Sequence, residues 1–163
     1  MACERTKKLD TGDAFPDMQF PLLSGGQLRL PRDACGRWMV FLGYRGYRFP
    51  FCRKQLSDFE DHNREFEKRG VMVIAVSSQN REDSEKSREL SKVTFTVGYD
   101  LDPREFSRMT GAFYNRGDHF IQATAFIVDP DGIIRGSIYS SGGIGRYTAE
   151  GTLRRLDQLM TAR

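Results

Sequence analysis

Two short runs, residues 38–42 (Trp-Met-Val-Phe-Leu) and 71–76 (Val-Met-Val-Ile-Ala-Val), are apolar at every position. A strand without polar alternation has both faces covered, and two such strands run parallel only when a crossover of about a dozen residues or more joins them. The intervening segment supplies that crossover. Leu56, Phe59, Asn63 and Phe66 recur at helical spacing among charged residues, which predicts a helix over 54–69. Gly70 then stands where a left-handed residue ends a helix. A β-α-β unit with buried strands places the chain in the α/β class.

The remaining segments extend this pattern. Residues 1–14 are polar, and 1–12 read as a flexible tail. Residues 18–22 and 27–30 flank Ser24-Gly25-Gly26 and predict an N-terminal β-hairpin. Residues 31–37 form a connection with room for one helical turn. Residues 78–93 are highly charged with few apolar members, so an exposed helix is expected. A short strand over 94–99 follows, then a helix capped by Asp102 with Pro103 at its first position. Residues 115–118 read as a loop. Residues 123–128 and 133–139 flank Asp129-Pro130-Asp131-Gly132, a hairpin signal. Residues 140–145 read as a flexible loop, and Thr148 opens a last helix with Leu153, Leu156 and Met160 inward. The predicted whole is a central mixed β-sheet flanked by helices, in one domain over residues 1–163.

Composition excludes several functions. Hydrophobic residues are 39% and charged residues 29% of the 163, the profile of a folded globular chain. No apolar stretch is long enough to span a bilayer, and residues 1–14 lack the apolar core of a secretory signal, so a cytoplasmic location is expected. The net charge of +3 is mild, and bases are interleaved with acids, as in Arg64-Glu65-Phe66-Glu67-Lys68-Arg69. That is a solvated face and not a nucleic-acid patch. Three cysteines without paired spacing argue against a disulfide framework, and with only two histidines no metal or other cofactor is implied.

Cys52 carries the chemistry. It lies between the strand at 38–42 and the helix expected from residue 54, with Arg45, Arg48, Arg53 and Lys54 close in sequence. Free N–H groups at a helix start and nearby cations both favour the thiolate, the reactive form of cysteine. Arg48 and Arg45 are the candidate cations for the reaction, and Tyr44 and Tyr47 the candidate hydroxyl donors. The plain alternative is that Cys52 is a small buried hydrophobe, a common fate of free cysteine. Cys35 and Cys3 could resolve an oxidised Cys52, although a connector and a tail cysteine without a role are the simpler assignments. His62 falls too far along its helix to serve as a base, and His119 could approach from a facing loop. Gly142-Gly143-Ile144-Gly145 lacks phosphate-loop spacing, and Phe113, Tyr114, Phe120 and Phe126 suit a core or a dimer contact.

This element order, with a strand–loop–Cys–helix junction, resembles the thioredoxin fold. It is most similar to the peroxiredoxin-like branch, the alkyl hydroperoxide reductase and thiol-specific antioxidant family, over roughly residues 10–162. Tyr44-Arg45-Gly46-Tyr47 and Pro50-Phe51-Cys52-Arg53-Lys54-Gln55-Leu56 match the Tyr-Arg-Gly-x-Trp-Cys-Pro-x-Cys-Arg-x-Gln-Leu of many members, and residues 126–135 match the closing hairpin. The resemblance implies a thiol peroxidase in which Cys52 attacks a hydroperoxide and an external small thiol or a thioredoxin-type protein restores it. It also implies a homodimer. Three departures stand out: Phe49 replaces the motif's first cysteine and the threonine that orients the peroxide, Arg45 stands at a proline position, and Ala123 stands where relatives have cis-proline or arginine. Two other functions therefore stay open: a monothiol–disulfide oxidoreductase, and a decayed thioredoxin-fold binding protein.

Overall fold

The computed structural model describes residues 7–162. Its centre is a five-stranded mixed sheet, built from β3 (Met39–Gly43), β4 (Met72–Val76), β5 (Thr96–Gly98), β8 (Thr124–Val128) and β9 (Ile134–Tyr139) in the order β5-β4-β3-β8-β9. β3 pairs in parallel with β4, and β4 with β5, while β8 runs antiparallel to both β3 and β9. The two apolar runs thus become the sheet's middle. All five residues of β3 are buried, with Val40 and Leu42 facing one layer and Met39 and Phe41 the other.

One layer contains α1 (Pro50–Asp61), α2 (Asn63–Lys68) and α5 (Ala149–Thr161), whose Leu56, Phe59, Phe66, Leu153, Leu156 and Leu159 pack on Val40 and Leu42. The opposite layer holds the hairpin β1 (Met18–Pro21) and β2 (Gln27–Leu30) together with α4 (Pro103–Thr110). Phe41 is its hub, with ring centroids of Phe15, Phe106, Phe126 and Phe20 at 5.5, 5.8, 6.0 and 6.5 Å. Gly98 ends β5 beneath Phe20, where an added Cβ would come within 2.3 Å of the ring.

The helix expected over 54–69 begins earlier and is broken in two. Pro50 opens it, since a ring with fixed φ and no N–H suits the first helical position. His62 Nδ1 donates to the Asp58 carbonyl at 2.8 Å, the acceptor a continuous helix would give to a backbone N–H, and His62 becomes the joint. Gly70 closes α2 as predicted: Val71 N–H bonds Phe66 O at 3.0 Å and Gly70 N–H bonds Glu67 O at 2.9 Å.

Two further differences have clear causes. α3 (Arg81–Ser91), expected to be exposed, buries Ser84, Ser87 and Ser91, and Ser91 Oγ donates to Arg53 O on α1 at 3.3 Å. Its inner face is polar and small, so apolar periodicity could not reveal it. Residues 115–118 turn a small hairpin of β6 (Tyr114–Asn115) and β7 (Phe120–Ile121). Of the expected tail, residues 1–6 lie outside the described residues, while Leu9 N–H bonds Thr110 O at 3.0 Å and Gly12 N–H bonds Ile134 O at 2.8 Å.

Arg69 ties α2 to α5, with Nε and Nη2 on Asp157 at 2.7 and 3.0 Å and Nη1 on Glu65 Oε2 at 3.0 Å. Arg69 holds the Asp157 carboxyl below its usual range; Lys68 and then Arg69 do the same for Glu65. Groups with depressed folded values add stability above their unfolded pKa of about 4 and lose it as pH falls further. Arg69→Ala should therefore lower the thermal midpoint at neutral pH, and the gap from the parent should narrow in scans run at progressively lower pH.

Candidate active site

β3 delivers the chain to the carboxyl edge of the sheet, where residues 44–49 cross to α1. Cys52 is the third residue of α1, inside its first turn and not ahead of it, and its N–H bonds Phe49 O at 3.1 Å. The Cys52 side chain is fully buried beside Leu42, Tyr44 and Leu56. Its sulfur nevertheless has two hydrogen-bond donors: the Arg45 backbone N–H at 3.2 Å and Arg146 Nη2 at 3.0 Å. An amide dipole and a guanidinium aimed at one sulfur stabilise negative charge there, and burial strengthens both because little water screens them.

Arg146 is locked in place. Its Nε donates to Gly143 O at 2.6 Å and its Nη1 to Gln55 Oε1 at 2.9 Å, while the buried Gln55 returns Nε2 to Tyr147 O at 3.2 Å. Gln55 lies one turn beyond Cys52 on the same face of α1, so one helix presents both the nucleophile and the group that orients its cation. Arg146 did not figure among the candidates read from the sequence, because 94 residues separate it from Cys52. One signal was present: it is the single charged residue in the glycine-rich stretch 140–147.

Arg45 and Arg48 take different places. Arg45 serves the sulfur through its backbone, while its guanidinium lies 3.9 Å from the Phe49 ring centroid and 5.2 Å from that of Phe120. Arg48 is exposed, donates Nε to Tyr47 Oη at 3.1 Å and lies over that ring. The buried Tyr44 side chain lies near Ser77, Ser84 and Ser87 as well as the thiol, and burial pushes its hydroxyl above the usual range. Of the two hydroxyls considered as peroxide donors, that of Tyr47 is engaged by Arg48. Phe49 packs on Phe120 with centroids 5.0 Å apart.

A cleft of about 490 Å³ opens beside this loop, lined by Arg45, Tyr47, Phe49, Gln79, His119 and Phe120. A second, of about 620 Å³, is lined by Phe51, Gln55, Ile144, Arg146 and Tyr147. Cys35 is exposed at the opposite end of β3, a strand about 16 Å long against the roughly 7 Å between Cα atoms that a disulfide tolerates. Cys3 lies outside the described residues.

Comparison with known proteins bears on the family and the fold. The family model described as "AhpC/TSA family" matches residues 11–137, a span that includes Cys52 and Gln55 and ends before Arg146. A peroxiredoxin of Thermotoga maritima is 31% identical over 157 residues, covering 93% of this chain and 72% of that protein. Alkyl hydroperoxide reductase C of Escherichia coli is 33% identical over 121 residues, 73% of this chain and 65% of the relative. Among solved structures, Mycobacterium tuberculosis AhpC superposes with a TM-score of 0.80 at 24% identity, covering 94% of this chain and 99% of that one. With the fold, the helix-borne cysteine and the family match in agreement, the chain belongs to the AhpC/TSA family.

Proposed function

We propose that this protein is a thiol peroxidase that reduces hydrogen peroxide or organic hydroperoxides through Cys52. The thiolate attacks the terminal peroxide oxygen, the O–O bond breaks, and the departing alkoxide or hydroxide takes a proton to leave as alcohol or water. Cys52 is left as sulfenic acid. An external thiol then condenses with it, releasing water and forming a mixed disulfide, which a second thiol opens to regenerate Cys52. The carrying observation is the pair of donors on Sγ, one of them the buttressed Arg146 guanidinium. Those donors stabilise the attacking thiolate, and the guanidinium is also placed to offset charge on the leaving oxygen.

Because Cys52 has no exposed surface, a peroxide reaches it only after a local opening around the sulfur. Cys35 stands a strand length away, so within one chain no described cysteine can resolve the sulfenate. This supports an external reductant, either a small thiol or a thioredoxin-type protein. A cytoplasmic, reducing setting and a homodimer complete the reading. No helix of the described residues is long and apolar enough to cross a membrane.

Complete burial of the sulfur also favours a second reading, an inert thiol in a binding protein of this fold. One experiment separates them. Exposure to stoichiometric hydrogen peroxide in the presence of dimedone should place the sulfenate adduct on Cys52 by peptide mass spectrometry. Modification confined to Cys35 or Cys3 would establish the inert reading. Trp38 lies at the far end of β3 from Cys52, so mass is the more direct reporter than its fluorescence.

A further inference from the structure

A half-buried amide that does not touch the thiol holds the loop that does. Gln79 follows β4, in the connection to α3. Its Oε1 accepts the Tyr47 N–H at 2.9 Å, and its Nε2 donates to Ser77 Oγ at 3.1 Å and to Ser87 Oγ at 3.0 Å. Both serines are buried, and Ser77 Oγ also accepts the Gln79 N–H at 3.2 Å. One side chain therefore links the end of β4, the inner face of α3 and the crossing loop. Gly46 fits the close approach, since a Cβ there would lie 3.0 Å from Gln79 Oε1 on a backbone at φ +157°.

The grip falls on both sides of the working group. Tyr44 N–H bonds Val76 O at 3.0 Å, and Tyr47 N–H bonds Gln79. Between them the Arg45 N–H meets Cys52 Sγ. We propose that Gln79 is a positioning residue for Cys52: by anchoring the Tyr47 amide it keeps the Arg45 N–H on the sulfur and so sustains the thiolate. The other groups facing the sulfur are the Arg146 guanidinium from the 140–147 segment and the Tyr44 side chain at the end of β3. The Arg146 contacts are made without Gln79 or Tyr47.

The proposal rests on the thiolate chemistry above, yet its test needs no peroxide. In a Cys3→Ser, Cys35→Ser background only Cys52 reacts with iodoacetamide, and its alkylation rate can be followed against pH. Gln79→Met keeps the length of the side chain but neither accepts the amide nor donates to the serines. It should move the profile to higher pH and slow alkylation at neutral pH by about five- to tenfold, the equivalent of one lost hydrogen bond. Ser87→Ala, which frees one end of the amide, should shift the profile the same way by less. Thr110→Ala removes a buried hydroxyl in α4 and serves as control, lowering stability with the profile unmoved. A Gln79→Met profile that overlays the parent would overturn the proposal. If that variant does not fold, an unmoved Ser87→Ala profile would do so. Failure of the peroxidase reading would instead appear as an absent sulfenate in the parent.

Discussion

Cys52→Ser is expected to end peroxide turnover while leaving the protein folded. Serine is nearly isosteric, and its hydroxyl can accept from the same Arg45 amide and Arg146 guanidinium, so the buried donors keep a partner. The chemistry has no such substitute. An alkoxide is inaccessible at neutral pH, and a hydroxyl is a poor nucleophile toward a peroxide oxygen. Loss of the nucleophile should lower thiol-dependent peroxide consumption by about 10³-fold or more, down to the uncatalysed background. Cys35→Ser should retain parental turnover, since that thiol is exposed at the other end of β3. A coupled assay monitoring consumption of the reducing thiol checks both. Substantial turnover in Cys52→Ser would move the reaction to another group altogether.

The second large effect belongs to Arg146. Arg146→Met removes the charged donor from Sγ and also leaves Gln55 Oε1 and Gly143 O without their partner. Loss of one preorganised donor to a charge that matters in the transition state lowers turnover by about 10²- to 10³-fold. Arg146→Lys should recover little of it. The guanidinium reaches three acceptors from three nitrogens held in one plane, and a single ammonium cannot span them. Arg48→Ala is the instructive companion, because Arg48 stands nearer in sequence yet lies on Tyr47. It should retain most of the activity. Parental rates of peroxide reduction in Arg146→Met would remove the guanidinium from the mechanism.

How far the sequence reached depended on whether the relevant pattern was local. The buried strands, the Gly70 stop, the Asp102 cap and the Asp129–Gly132 turn are each written in a few adjacent residues. Asp102 Oδ1 does accept the Glu105 N–H at 2.9 Å, and Asp129 Oδ1 accepts the N–H groups of Asp131 and Ile133 at 2.9 and 3.0 Å. The α3 face was hidden because serines carry no hydrophobic period, and the bonds that Ser87 and Ser91 make to Gln79 and Arg53 form only in the fold. Likewise, nothing in the spacing of residues 44–49 tells which arginine turns to the thiol.

The order of residues along the chain determined the layered α/β architecture, the placement of one cysteine at the start of a helix on the sheet's carboxyl edge, and the absence of a partner cysteine in its motif. Backbone propensity and burial periodicity act over a single turn or strand, and they suffice for that. Tertiary structure alone decided the sulfur's surroundings. Arg45 contributes an amide and Arg146 a charge, because the 140–147 segment that follows β9 brings a residue 94 positions away to within 3.0 Å. A hydrogen bond of that kind follows from chain closure in three dimensions, which no local pattern encodes.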